Sequence, residues 1–313
     1  MSKTFVGIDV SSQWFDVAVT PGDLSWRVSY TDSSLVPFVQ RLHALDVTFV
    51  VLEACGHLER PLARVLDRAG IPVAVVNPRN IRDFARSVGQ LAKTDALDAR
   101  VLALYAATIC PQPRPLPDEE EEFLQALLAR RRQLVRMLSA EKNRLRRVAP
   151  GLIPGIERHL SWLQTEIDDL NREIAQRQQD DPHWRRRKQI LEGVPGVGPT
   201  TSVTLTAYLP ELGALNRKKI SALVGVAPLN RDSGLRQGTR TIWGGRLEVM
   251  AALYMSAMAG IRCNPVLRDF YKSLCARGKT RKVALVACMH KLLIILNAMA
   301  RDGTAWKPTS SLP

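Results

Sequence analysis

The chain has 313 residues, 46% hydrophobic and 24% charged, a globular balance with room for two or three domains that excludes a disordered chain. The net charge of +14 is uneven: residues 1–110 hold 11 basic and 11 acidic side chains, 111–192 hold 16 and 14, and 193–313 hold 17 and 5. The run Leu292–Leu296 is too short to span a bilayer, no signal peptide precedes the first strand, and five scattered cysteines without C-x-x-C read as reduced thiols without zinc, so a cytoplasmic protein with no membrane partner is expected.

In chain order, Phe5–Val10 and Trp14–Thr20 alternate as the strands of a hairpin, with Ser25–Thr31 as a third strand. A helix over Leu35–Leu45 entering near Pro37, a strand Val47–Glu53, a helix His57–Arg68 and a strand Ile71–Asn77 come next. Pro78 opens a short helix to Phe84, and Thr94 is placed to cap a helix Asp95–Thr108. Three antiparallel strands succeeded by alternating helix and strand is the order of a ribonuclease-H-like α/β fold.

Four acids break this pattern. Asp9 interrupts an apolar strand, Glu53 ends another, and Asp95 and Asp98 stand three apart, on one face of a helix. An ionised carboxylate in a core strand is costly unless a charge compensates it, and a divalent cation is the usual compensation. Singly, each acid has a structural reading: Asp9 as a strand end, Glu53 paired with Arg60, Asp98 bridged on the helix surface. Their joint order points to an oxygen-only site for two Mg²⁺ about 4 Å apart, with Asp9 bridging, suited to phosphodiester chemistry. Asp16 is a weaker candidate, and Lys93 is placed to touch a scissile phosphate.

Pro111, Pro113, Pro115 and Pro117 mark a boundary, giving domains 1–112, 113–190 and 191–313. The acidic run Asp118–Glu122 favours a helix start, and a long helix to Val148 returns through a second one. There Leu160, Leu163, Ile167, Leu170 and Ile174 repeat at three-four spacing, the pattern of a coiled-coil hairpin with an oligomerising seam. The run Arg185–Lys188 reads equally as a solvated helix face or a phosphate contact.

The last segment is mostly helical and strongly basic, as in a polyanion binder. Its opening, Gly193-Val194-Pro195-Gly196-Val197-Gly198-Pro199, resembles the turn of a helix-hairpin-helix element, with Gly196 and Gly198 allowing close approach of phosphates. A plain tight turn is the alternative. Downstream, Ser233 lies beside Gly234 in a loop with Arg231, Arg236 and Arg240, with Arg246 after it; further on stand Lys279 and Lys282. These cations are expected on nucleic acid. Residue chemistry leaves Ser233 open between a phosphate contact and a nucleophile.

Taken together, Gly7-Ile8-Asp9-Val10-Ser11, Glu53-Ala54, Lys93-Thr94-Asp95-Ala96-Leu97-Asp98-Ala99, the glycine-proline turn and Pro228…Ser233-Gly234…Gly238…Gly244 resemble the DEDD-type transposases of the IS110 insertion-sequence family, relatives of the pilin-gene invertase. The resemblance spans essentially the whole chain. It implies a RuvC-like domain, a coiled coil and a C-terminal transposase domain. It further implies a homodimer or tetramer that recombines element ends with a target DNA, guided by a structured bridge RNA. Asp9, Glu53, Asp95 and Asp98 would be the metal-binding tetrad and Ser233 the nucleophile forming a 5′-phosphoserine, with serine and tetrad drawn from different subunits. The proline-rich linker and Trp243 depart from that pattern. Without the serine step the chain would be a RuvC-like junction endonuclease using activated water; without chemistry at all, it would be a DNA- or RNA-organising protein.

Overall fold

The computed structural model describes residues 3–90, 95–113, 116–230, 232–233, 238 and 240–307, with only the backbone of 95 and 96. It divides into two compact units, Met1–Pro117 and Asp118–Pro313.

The first unit is built on five strands, β1 (Thr4–Val10), β2 (Trp14–Thr20), β3 (Ser25–Ser29), β4 (Val47–Glu53) and β5 (Val73–Val76), in the order β3-β2-β1-β4-β5. β1–β2 and β2–β3 pair antiparallel, whereas β1–β4 and β4–β5 pair parallel, so the sheet has the expected ribonuclease-H-like order. Strand alternation sorts the side chains into two layers. Val6, Ile8, Phe15, Val17, Val50 and Leu52 face α1 (Asp32–Ala44) and α2 (Glu59–Arg68). Phe5, Phe49, Val51, Ala74 and Val76 face α3 (Pro78–Ser87) and α4 (Asp95–Ile109).

Several boundaries differ from expectation by a few residues, and two have a clear local cause. α1 begins at Asp32 because Thr31 and Ser34 form a capping box, leaving Pro37 inside the helix. α2 begins at Glu59, since Gly56 and His57 take positive φ and cannot continue a helix. Lys93 and Thr94 lie outside the described residues. The proline-rich segment packs on this unit: Leu116 joins the α1/α2 core, and Arg64 Nη2 donates to the Pro117 carbonyl at 3.2 Å.

The second unit is helical. α5 (Glu119–Leu145) starts at Asp118, which accepts from Glu121 N at 2.7 Å. A 3₁₀ turn at Pro150–Leu152 leads into α6 (Ile153–Asp180), which packs antiparallel to α5 as a hairpin. The three-four stripe is spent within this chain: Leu163, Ile167 and Leu170 pack with Leu134, Val135 and Leu138 of α5. Ile174 joins Leu124, Leu127 and Leu128 in a cluster with Trp184, Val203 and Ala207, tying the hairpin to α7 (Pro182–Glu192) and α8 (Pro199–Tyr208). Packing is thus continuous from the hairpin into the C-terminal helices.

The main core gathers around α12 (Arg281–Asp302), packed by α9 (Arg217–Val224), α10 (Leu247–Cys263) and α11 (Pro265–Ala276). Contrary to the reading of Leu292–Leu296 alone, α12 is long and apolar enough to cross a membrane, because alanines, Cys288 and Met289 extend the run. Ten of its residues, from Ala284 to Met299, are buried in this core, the placement of a central core helix. All five cysteines are free thiols.

Candidate active site

β1 and β4 run parallel with Ile8 opposite Leu52, so the next residues, Asp9 in the penultimate position of β1 and Glu53 at the end of β4, lie side by side. Both keep the odd-numbered register that faces α3 and α4, and both are partly buried. The helix reaches this end of the sheet through a glycine. A Cβ at Gly7 would stand 2.1 Å from Ala103 N and 2.3 Å from Ala99 O, so only glycine lets the α4 backbone lie directly on β1. Phe5 packs on the cluster holding Leu102, Tyr105 and Ala106, while Gly7 meets Ala99 and Ala103. Moving forward along β1 therefore moves backward along α4, and Asp9 comes toward the first turns of α4, where partly buried Asp98 lies.

The structure thus brings Asp9, Glu53 and Asp98 to one end of one sheet face. Asp95 has its backbone in the first turn of α4, and its side chain is not among the described groups. Among the described residues no three Asp, Glu, His or Cys side chains are near enough to share one ion. The donors are carboxylate oxygens, the set that suits a hard cation such as Mg²⁺. Cys55, two residues beyond Glu53, adds no soft ligand: burial, reinforced by Glu59 and then Asp9, pushes its thiol up to about 12.

Two neighbours of this end have structural roles: Asp16, the weaker candidate from sequence, and Glu59, which sequence did not single out. Asp16, cross-strand from Asp9, is buried on the same face and held by Arg27, whose Nε and Nη2 donate to its two oxygens at 3.0 and 2.8 Å. Arg27 also stacks over Trp14 at 4.8 Å. Like charges directly opposite repel, and this fork neutralises one of them, so Asp16 has a structural partner. Glu59, 4% exposed, accepts from Cys55 N and His57 N, each at 3.0 Å, and so braces the loop leaving Glu53. A strand arginine two positions before the end of β3 and an acid opening α2 signal such roles only once the register is known.

In the second unit, Ser233 is exposed; Arg231, Arg236 and Gly234 lie outside the described residues. Its loop is closed by a Leu229–Thr241 bridge, and Gly238 N donates to Asp232 Oδ1 at 3.1 Å. The base is a backbone-on-backbone contact. A Cβ on Gly225 would lie 2.2 Å from Gly244 O, and one on Gly245 2.2 Å from Val224 O. The serine is therefore presented from an anchored loop.

Of the cations expected on nucleic acid, Arg240, Lys279 and Lys282 are exposed. Arg246 is not available in that way: it forms a two-pronged pair with Glu211, both contacts 2.6 Å, and donates to the Tyr208 carbonyl at 2.7 Å. In the Arg185–Lys188 run, Arg187 turns inward onto the carbonyls of Leu209, Pro210 and Leu212, and burial lowers its pKa. A tight turn joins α7 to α8 at the segment read from sequence as resembling a helix-hairpin-helix turn, and Gly198 is exposed as the N-cap of α8. Gly196 serves packing: at φ +100 its Cβ would fall 2.7 Å from the Gly260 backbone of α10.

Comparison with known proteins gives consistent matches. A family profile described as "Transposase", of the IS110 DEDD type, matches residues 6–154, and one described as "Transposase IS116/IS110/IS902 family" matches residues 188–272. The pilin gene-inverting proteins of Moraxella bovis and Moraxella lacunata are each 28% identical over 313 residues, covering 97% of this chain and 97% of theirs. The insertion element IS116 uncharacterized 44.8 kDa protein of Streptomyces clavuligerus is 29% identical over 199 residues, 62% of this chain and 47% of its own. T. thermophilus RuvC in complex with a Holliday junction substrate aligns with a TM-score of 0.28 at 15% identity, over 36% of this chain and 100% of that one.

Proposed function

The chain belongs to the IS110 family of transposases, enzymes that recombine DNA, and on that premise we propose that it cleaves and rejoins strands through Ser233 at a Mg²⁺-dependent acidic site. The observation that carries the proposal is the juxtaposition of Asp9 and Glu53 on adjacent strand ends under the N-terminal turns of α4. Asp9, Glu53, Asp95 and Asp98 would hold the metal. When bound, Mg²⁺ supplies Lewis-acid polarisation of the scissile phosphate.

The serine hydroxyl oxygen bonds to the phosphorus, the bond from phosphorus to the 3′ oxygen breaks, and the serine proton ends on that oxygen. A 3′-hydroxyl of another strand then attacks the phosphoserine, restoring the serine and joining the strands. The phosphodiester energy is retained in the ester, so no nucleotide cofactor is consumed. Serine and acids come from different subunits of a homodimer or tetramer in this reading, and a bridge RNA pairs with element and target in the cytoplasm. The bases of the guide, and not side chains, would then choose the target.

Helix electrostatics support a polyanionic partner. α9 opens with Arg217, Lys218 and Lys219 and α12 with Arg281 and Lys282, cations at the positive end of the helix dipole. Each such placement costs a few tenths of a kcal/mol or more in isolation, which bound phosphates would offset. Incubation with cognate DNA and then denaturation tests the nucleophile: the wild type should retain a covalent protein–DNA adduct and Ser233→Ala should not. Cleavage that persists in Ser233→Ala but is lost in Asp9→Ala would instead identify a nuclease using activated water.

A further inference from the structure

α8 begins at Pro199 behind Gly198, an N-cap with no side chain to accept from the first turn. Against that end of the helix lies a cavity of about 270 Å³, lined among others by Arg131 of α5, Asn171 and Gln178 of α6, Lys188 of α7, and Thr200. No carboxylate among the described residues lines it. Of two neighbouring cavities, one is lined by Glu120, Asp180 and Asp181; the other shares Gln178 and Lys188 with this one and adds Asp180 and Glu192, so the acids stand on the far side of those two side chains from Arg131 and Thr200.

Within the cationic cavity one group lacks what it needs. Gln178 is 2% exposed, and its Nε2 has no hydrogen-bond partner. A buried amide donor without an acceptor is costly, so a site that keeps one invites an acceptor from outside. Arg131 is poised beside it: Nε donates to Asn171 Oδ1 at 2.6 Å, which orients the guanidinium while leaving its terminal nitrogens out of that bond. Lys188 adds a second positive charge, and the first turn of α8 adds the positive end of its dipole.

We propose that this cavity binds one backbone phosphate of a nucleic acid, held by Arg131, Lys188, the Gln178 amide and the Thr200 end of α8, where Thr201 N and Ser202 N already donate to the Gly198 carbonyl. The anion is implied by these residues alone; its identity as a nucleic-acid phosphate rests on the proposed recombinase function. The geometry also moves phosphate recognition from Gly196, which is spent on packing against α10, to side chains of the helical hairpin. DNA and RNA offer the same phosphate chemistry, so both are tested.

The full-length protein is melted in inorganic phosphate and in chloride at equal ionic strength. Wild type should gain stability with phosphate, and Gln178→Met and Lys188→Gln should each weaken the apparent phosphate affinity about tenfold. The chloride melts show that both variants fold, and Gln178→Met should be no less stable there, since it removes an unpaired donor. Binding of a DNA duplex and of an RNA hairpin is then measured against salt. Lys188→Gln should lower the slope by about one for the polymer that supplies the phosphate. Equal phosphate affinity in wild type and both variants overturns the site. Phosphate binding that depends on these residues, with both polymer slopes unchanged, overturns the assignment to nucleic acid. Loss of the Ser233 adduct chemistry in every assay, with phosphate binding intact, would remove the recombination mechanism and leave the anion site standing.

Discussion

Gly7→Ala is the sharpest test of how the first unit builds its acidic end. The added methyl would sit 2.1 Å from Ala103 N, 2.3 Å from Ala99 O and 2.6 Å from the Leu102 carbonyl carbon. All three are backbone atoms inside α4, so no side chain can rotate out of the way. Bringing the shortest contact to the 3.4 Å of ordinary packing requires α4 to lift by roughly 1.3 Å. Overpacking against a fixed neighbour costs about 1–3 kcal/mol, and backbone clashes belong at or above the upper end. The same lift carries Asp98 away from Asp9 and Glu53, and a displacement of about 1 Å can lower a rate on the order of 100-fold. Peptide-resolved hydrogen exchange on the full chain reads α4 separately from the second unit, and adduct formation with cognate DNA reads the chemistry. Faster exchange over 95–109 with adduct formation reduced is the expected result. Wild-type exchange and wild-type adduct yield in Gly7→Ala would refute the argument that α4 is seated by this glycine.

Further outcomes rest on named contacts. Arg27→Met leaves the buried Asp16 carboxylate unpaired opposite Asp9 and should cost about 1–3 kcal/mol in denaturant unfolding, with most of it restored by adding Asp16→Asn. Arg246→Ala should cost about 1–3 kcal/mol of stability in the same assay, since it removes the two-pronged pair with Glu211 and the bond to the Tyr208 carbonyl. Exposed Lys279→Ala and Lys282→Ala should change stability by under about 0.5 kcal/mol while each lowers the salt slope of DNA binding by about one. His290 is held below its ordinary value of 6.5 by burial, then by Arg217. The unfolded chain therefore takes up this proton first, so the contribution is present above pH 6.5 and is lost as pH falls through the folded value. Unfolding of wild type and His290→Asn measured from about pH 7.5 to 5 should diverge below 6.5, with the variant less sensitive to acid.

The sheet and its acids were readable because each strand buries alternate residues, so Asp9 and Glu53 stand out against Val6, Ile8, Val50 and Leu52. What alternation cannot supply is the partner across the chain. Asp16 reads as a weaker candidate acid until the register sets Arg27 opposite it, eleven residues away. Arg246 looked like its basic neighbours, yet its partner, Glu211, is 35 residues upstream. The stripe Leu163–Ile174 has the period of a coiled coil whether its seam meets another chain or α5 of the same chain, and here α5 fills it. Gly7 and Gly196 carry opposite lessons. A glycine inside an apolar strand marks a close approach, whereas a glycine in a turn fits both phosphate contact and helix packing, and only Gly260 beside Gly196 decides for packing.

The partition of charge has a mechanistic consequence. Residues 1–110 are balanced at 11 basic and 11 acidic side chains, although they contain the acids meant to meet a phosphodiester. Alone, such a balanced surface offers DNA no net attraction. The excess of 17 basic over 5 acidic residues in 193–313 supplies the attraction, on exposed side chains such as Lys279 and Lys282 that salt screens readily. Asp9, Glu53 and Asp98 are partly buried and therefore less screened. Affinity and chemistry should accordingly respond to different variables. On the proposed mechanism, salt should govern how much DNA is held, because counterion release would belong to the basic segment. On the same proposal, divalent cation concentration should govern whether held DNA reacts, because the acidic end would meet the scissile phosphate only with metal bound.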